Sequence, residues 1–333
     1  MGLTISDIGE RRLIKHIWGI LERDPEELLG AGLDDAVAKE LAEGFVLVAH
    51  TDMWVEHTDL LPGMSWRLAG RKAVVANISD LAAKGAKPLG LLFSVGLPPE
   101  FPLESLRELV EGLSEGASEY GTYVLGGDLG ESREVILAGS IFGVAHRGRL
   151  MPRSGAQPGD LVAVTGLLGL TAVGFKILLE EYEAPGSVKA KAVESVYRPV
   201  ARLKEGLALA GCGAVTASMD ISDGLAVSLN QMAEASGVSI TLEKLPIAEE
   251  ARVFAERHRL DPEELTLYEG GEEYELLVAV RPGMWSEAVK AVKNVGGSLY
   301  KIGVVCEGSG VYKADGSKVE AKGWEHLRRN DRS

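Results

Sequence analysis

The amino-acid sequence predicts an α+β fold, mixed α/β in texture, built as two domains with a site in the cleft between them. Three observations carry that expectation. A chain of 333 residues is long enough for two domains with separate cores, and 46% apolar residues is the composition of a globular protein. Strand-like and helix-like stretches mix through both halves at similar size. Between the halves, "HRGRLMPRSGAQPGD" (146–160) collects glycine, proline and arginine with no period, which sets one domain at 1–148 and a second at 149–333.

The elements follow in order. From Asp7 to about Glu22, residues Ile8, Ile14, Ile17, Trp18 and Leu21 fall near one helical face. "FVLVAHT" (45–51) reads as a strand, and Lys72 to Ala83 as a helix that turns Val75, Ile78 and Ala82 inward. "PLGLLFSVGLP" (88–98) is strand-like, an amphipathic helix covers about 102–120, and "TYVLGGD" and "EVILAGSIFGVAH" are strands. The second half begins with the strand "DLVAVTG" and helices at about 168–181 and 189–210. "AVTASMD", a further helix, "VSITLE", two short helical stretches, "ELLVAV", a helix near 284–295 and "GSLYKIGVV" complete it.

Composition excludes several function classes. A formal charge of −14 argues against broad contact with nucleic-acid phosphates. No apolar run reaches the length of a membrane span, and the charged N-terminal stretch does not read as a signal peptide. Cys212 and Cys306 show no CxxC spacing, so a reducing, cytoplasmic setting is expected. "GLTAVGFK" (169–176) approaches a P-loop but carries Phe175 where the lysine belongs. It reads instead as a helix N-terminus. Motifs for dinucleotide binding, nucleophilic triads, kinase loops and His-based zinc sites are missing.

Acidic residues at turns remain. Asp34 and Asp35 sit in "GAGLDDAV", Asp52 ends "VAHTD", Asp128 lies in "LGGDLG", and Glu272 and Glu273 lie in "EGGEEYELL". Ile-Ser-Asp triplets end at Asp80 and at Asp223, the latter just after Asp220. Each triplet has a plain reading as a helix N-cap. Strand-end aspartates beside glycine at several places point further, because carboxylates gathered in one cleft repel unless a cation neutralises them. Hard oxygen donors without a His/Cys cluster favour Mg²⁺ over zinc. The two triplet aspartates are expected to grip the same metals from opposite domains.

Taken together, "LDDA", "HTDMWVE", "GRKAVVANISDLAAKGAKP", "VLGGDLG", "PRSGAQPGDLVAVTGLLG", "SMDISDGL" and "GGEEYELL" resemble the thiamine-monophosphate kinases. These belong to the superfamily of aminoimidazole ribonucleotide synthetase and selenophosphate synthetase. The resemblance implies a two-domain aminoimidazole ribonucleotide synthetase-like fold, a homodimer whose N-terminal sheets close a barrel, and Mg²⁺-dependent transfer of phosphate from ATP to thiamine monophosphate. It implies a metal shell of Asp35, Thr51, Asp52, Asp80, Asp128, Asp220 and Asp223, and ATP contacts at Gly127, Asp128, Arg153 and Ser222. Glu272 and Trp324 would meet thiamine, Trp324 offering a flat face to a cationic ring; its other reading is a plug in the second domain's core.

This chain departs from the family in three places. His50 stands where many members have serine or threonine, "GGEEY" replaces "GGEDY", and Asp59 stands where a substrate-contacting histidine is expected, with His57 two residues earlier. Lys72 reads as a phosphate contact or a structural lysine, the latter favoured. A selenophosphate synthetase would need a reactive cysteine near the N-terminus, and the hydrogenase-maturation relative a C-terminal cysteine tail; neither is present. A silent Mg-nucleotide-binding scaffold and a plain α+β protein whose acids are caps are the readings from other classes.

Overall fold

The structure, a computed structural model, describes residues 5–22, 24–30, 34–325 and 327. Its first half forms α1 (Ile5–Ile8), α2 (Glu10–Trp18), β1 (Glu27–Leu29), β2 (Val37–Ala42), β3 (Phe45–Val55), α3 (Glu56–Asp59), α4 (Trp66–Ala83), β4 (Lys87–Leu97), α5 (Leu103–Glu119), β5 (Val124–Glu131) and β6 (Ile136–His146). Its second half forms β7 (Leu161–Val164), α6 (Leu170–Leu179), α7 (Gly186–Tyr197), α8 (Leu203–Cys212), β8 (Val215–Asp220), α9 (Leu225–Ser236), β9 (Ser239–Leu242), α10 (Glu249–His258), α11 (Pro262–Tyr268), β10 (Leu276–Val280), α12 (Trp285–Asn294), β11 (Tyr300–Cys306) and β12 (Gly310–Lys313).

The strands sort into two six-stranded sheets, ordered β1-β2-β3-β6-β4-β5 and β12-β9-β11-β7-β10-β8. Each sheet is antiparallel apart from one parallel pair at an edge, β4 with β5 and β9 with β12. The β4–β5 pair needs a crossover, and α5 supplies it. The expected α+β character holds. The N-terminal helix is broken at Gly9, whose φ is 78°. The helix expected over 189–210 splits into α7 and α8 around Pro199, because a proline keeps the residue before it out of helical geometry.

One helix organises the site. α4 starts at Ser65, whose side chain accepts the Leu68 N–H, and runs for 18 residues with buried positions on every side. A helix buried on every side is packed on every side, and here the buried positions include Arg71, Lys72, Asn77 and Ser79. α4 touches β3 and β6 of the first sheet, α5 beside it, and α8 and β8 of the second half. Two glycines permit the closest approaches. A Cβ on Gly112 of α5 would meet the Arg67 carbonyl at 2.0 Å, and one on Gly206 of α8 would meet the Ala82 carbonyl at 2.1 Å.

The expectation of separate cores is therefore corrected. One apolar cluster runs from Val48 and Val75 through Ala82 and Leu209 to Leu276 and Val292, crossing from one half to the other. A second, made by residues such as Val164, Ile221, Phe254 and Ile302, belongs to the second half alone. The shared cluster brings the end of α4 against the end of β8. Both carry aspartates.

Candidate active site

The Ile-Ser-Asp triplets at Asp80 and Asp223 are not helix N-caps. Asp80 lies in the last turn of α4, far from the Ser65 cap, and Asp223 lies in the turn before α9, whose N-cap position is Gly224 with no side-chain cap. Across the halves, Asp80 meets Asp220, also expected in the metal shell. Asp35, Asp80 and Asp220 bring carboxylate oxygens within 4.8 Å of one another, and Asp223 is not part of that trio. The serine of the triplet ending at Asp80 fixes the arrangement, since Ser79 Oγ donates to Asp220 Oδ2 at 2.6 Å.

Electrostatics divides the trio. Burial is the largest influence on Asp80, and the charges of Asp220, Asp35 and Asp52 add to it, so its carboxyl is pushed well above the ordinary range. Burial and then the Asp35 charge raise Asp220 to about 7, against the Ser79 hydrogen bond. Asp35 is also buried, but the Arg153 and Lys84 charges outweigh that burial and hold it below the usual carboxylate value. Three acids cannot all ionise this close without cations. Their hard oxygens, buried and convergent, fit Mg²⁺.

Basic neighbours complete the cluster. Lys84, wholly buried, sets Nζ 2.5 Å from Asp34 Oδ1, 2.8 Å from Asp35 Oδ2 and 2.8 Å from the Ser218 carbonyl. The Arg153 backbone N–H donates to Asp34 Oδ2 at 2.8 Å, and its guanidinium donates to Asp35 Oδ1, from Nε at 3.1 Å. His50 Nδ1 donates to the Asp35 carbonyl at 2.6 Å while Nε2 lies 3.2 Å from Asp80 Oδ2. Burial keeps His50 below its ordinary pKa. The imidazole therefore lies between the Asp35 backbone and the Asp80 carboxylate.

Beside the trio, the loop after α11 turns sharply. Glu272 and Tyr274 both adopt left-handed backbone, with φ of 54° and 50°. The Glu272 N–H donates to the Ser222 carbonyl at 2.6 Å, and its carboxylate meets Lys72 Nζ at 2.6 Å. Burial raises the Glu272 pKa, Lys72 opposes that, and Asp59 and Asp52 add to it, which puts these acids around one space. Lys72 thus ties α4 to this loop. The neighbouring Glu273 does a different job, accepting the Gly169 N–H at 2.6 Å at the start of α6. The near P-loop segment has its N-terminus closed by a protein carboxylate.

Comparison with known proteins places this arrangement. Residues 33–145 match the family described as AIR synthase related protein, N-terminal domain, and residues 157–314 match its C-terminal domain counterpart. The thiamine-monophosphate kinase of Pyrococcus horikoshii is 37% identical, over 90% of this chain and 91% of that one. That of Aquifex aeolicus is 32% identical over 98% of this chain and all of its own length. The chain belongs to the thiamine-monophosphate kinase family. Among solved structures, AaThiL complexed with AMPPCP and TMP has a TM-score of 0.87 at 31% identity and covers 98% of this chain, which spans 99% of it.

For a member of this family, the structure distributes the expected site residues unevenly. Asp52 shares a β3 face with His50, and its charge reaches His50, Asp80 and Glu272. Thr51 points the other way, as strand alternation requires, and its hydroxyl donates to the Gly139 carbonyl at 2.7 Å. Gly127 and Asp128 lie on exposed β5, at the edge of the first sheet. In the strand register Asp52 faces Gly139, Gly139 faces Phe93, and Phe93 faces Gly127. Three strand spacings separate Asp52 from that edge, roughly 14 Å.

On the substrate side, Asp59 Oδ2 accepts the Val55 N–H at 2.6 Å, and His57 turns to Glu134, with Nδ1 3.2 Å from Oε2. Trp324 is 49% exposed, which excludes the core-plug reading, and its backbone N–H donates to the Asp223 carbonyl at 3.0 Å. That bond joins the end of the described chain to the Ser222–Asp223 turn. The residues missed by sequence reasoning are Lys84, Ser79 and the cap role of Glu273. Only Ser79 left a signal, as the middle of the triplet ending at Asp80.

Proposed function

We propose that the cleft between α4 and β8 phosphorylates thiamine monophosphate to thiamine diphosphate at the expense of ATP, by direct in-line transfer. The observation that carries this reading is the match along nearly the whole chain to a family member complexed with AMPPCP and TMP, at a TM-score of 0.87. The acceptor is a phosphate monoester whose second pKa of about 6 leaves it ionised at neutral pH, so no general base is required. The task is to bring two anions together in line.

Asp35, Asp52, Asp80, Asp128, Asp220 and Asp223 would hold Mg²⁺; the Thr51 hydroxyl, expected with them, faces the other side of β3 and bonds the Gly139 carbonyl. Bound Mg²⁺ supplies the positive charge that neutralises both phosphates. Gly127, Asp128, Arg153 and Ser222 would hold ATP. Glu272 would meet the thiamine cation, the exposed face of Trp324 would stack on it, and Asp59 would border the same space. Ser79 and His50 aim the acids, and Lys72 aims Glu272.

The same reading includes a homodimer. The outward side of the first sheet and its β5 edge expose Met53, Leu89, Leu92, Leu125 and Leu129, an apolar surface suited to a second copy. A second copy would also bring an Asp128 towards a trio that the chain's own Asp128 stands far from. We place the domain boundary at 148/149. No helix among the described residues is long and apolar enough to cross a membrane, both cysteines are free, and a cytoplasmic setting accords with both facts.

A coupled assay for ADP release, run side by side with thiamine monophosphate, thiamine and aminoimidazole precursors, tests the function. Mg²⁺-dependent turnover with thiamine monophosphate alone is expected. Tight Mg-ATP binding with no turnover of any acceptor would make the chain a nucleotide-binding scaffold instead.

A further inference from the structure

Lys84 stands beside the acidic trio, and in-line transfer between two phosphates does not by itself call for it. Its Nζ donates to Asp34 Oδ1 at 2.5 Å and to the Ser218 carbonyl at 2.8 Å, and it pairs with Asp35 Oδ2 at 2.8 Å. Two hydrogen bonds and one further charge contact therefore hold the ammonium. Its side chain has no exposure to solvent. A buried charge of that kind persists only where opposite charge faces it, and the dependence runs both ways. Asp34 and Asp35 lie side by side, also buried, and Lys84 touches both. Arg153 binds the remaining oxygen of Asp35. Asp35 therefore joins Asp80 and Asp220 with both oxygens already facing protein cations.

We infer that Lys84 is a resident counter-ion of the metal centre. It holds the Asp34–Asp35 pair in place, with Asp35 beside Asp80 and Asp220, when no metal is bound, and it competes with Mg²⁺ for Asp35. The inference rests on the metal-centre reading given above. Of the four carboxylates at this spot (Asp34, Asp35, Asp80 and Asp220), Lys84 and Arg153 balance two. Without Lys84 the cluster carries one more uncompensated negative charge. Such a centre tolerates metal-free conditions less well and binds a divalent cation more tightly. A lysine that merely fills space would leave the response to Mg²⁺ unchanged.

The test compares wild type, Lys84→Met and the double variant Asp34→Asn/Lys84→Met. Tm is read in EDTA and across a Mg²⁺ titration, and Mn²⁺ binding is followed separately by calorimetry. Lys84→Met should lose roughly 5 °C or more in EDTA. Mg²⁺ should recover most of that loss, and the Mn²⁺ Kd should fall by roughly tenfold. The double variant should regain Tm in EDTA, because the orphaned acid leaves together with its partner. If Lys84→Met does not fold, the double variant decides: a folded protein in EDTA supports the inference, and a second failure overturns it. An equal loss of Tm in EDTA and in saturating Mg²⁺ would also overturn it, making Lys84 a packing residue. A wild type indifferent to both metals would remove the metal centre itself, and this inference with it.

Discussion

Asp80 and Asp220 are acids that the fold keeps from ionising freely, and that makes them informative to mutate. Both have raised pKa values, burial being the first cause in each case. A neutral amide of the same shape should be tolerated, so Asp80→Asn and Asp220→Asn should keep a wild-type Tm in EDTA. Each should nevertheless lower kcat by roughly 10²-fold, as expected for one preorganised electrostatic group. The double variant should fall short of the product of the two losses, because both residues act on one charge cluster. Wild-type turnover in either single variant at saturating Mg²⁺ would remove that residue from the centre. Trp324 offers the opposite contrast. Its ring is half in solvent, so Trp324→Ala should raise KM for thiamine monophosphate several-fold while leaving KM for ATP and Tm in place. A core residue of that size would instead cost about 3–5 kcal/mol and impair both substrates together. At this scale the acids were legible, since aspartate at strand ends beside glycine is hard to explain by packing. Lys84 was not. In "LAAKG" it has the look of a solvated basic residue at a helix C-terminus, and only the packing of β8 against α4 shows that it is buried.

At the scale of elements, the loop "GGEEY" splits two adjacent carboxylates between function and support. Left-handed backbone at Glu272 and Tyr274 turns Glu272 to Lys72 and Glu273 to the start of α6. Burial raises Glu273 to about 7, with the Gly169 N–H pulling against it. The folded pKa exceeds the unfolded one, near the ordinary 4.5. Below that value both states hold the proton. Between about pH 4.5 and 7 the unfolded chain gives it up and the native chain keeps it, so stability falls as pH rises, and above 7 the loss is complete. The group is partly open to solvent, which limits the effect to about 1–3 kcal/mol. Glu273→Gln keeps an acceptor for Gly169 and removes the titration. The stability lost between pH 5 and pH 8 in urea melts should therefore be smaller in the variant; parallel losses in the two proteins would show that Glu273 does not titrate this way. Sequence patterning found the elements on either side of this loop but not its shape. Left-handed φ at a glutamate and a tyrosine is imposed by tertiary contacts, and no local propensity announces it. The same override hid the length of α4, whose first turn begins well before the expected helix and whose last turn holds a triplet that local rules assign to a cap.

For the whole molecule, periodicity was enough to expect two mixed halves, whereas their fusion through α4 and α8 depends on close backbone approach at glycines that carry no apolar signal. The position of Asp128 is likewise invisible until strand order is known, because β5 follows β4 in sequence yet sits at the sheet edge, with β6 and β4 between it and β3. That order yields the last prediction. A homodimer should sediment at about twice the 35.5 kDa chain mass at micromolar concentration, and in it Asp128 should serve the trio of the other copy. Asp128→Asn and Asp80→Asn homodimers should each be nearly inactive. When the two variants are coexpressed and assort at random, about half the dimers should be mixed. In a mixed dimer, one site joins the intact Asp80 of one chain to the intact Asp128 of the other, while the second site lacks both. One working site in half of the dimers gives about a quarter of wild-type activity. Were Asp128 to act on its own chain's trio, every site in the mixed dimer would lack one aspartate or the other, and coexpression would restore nothing.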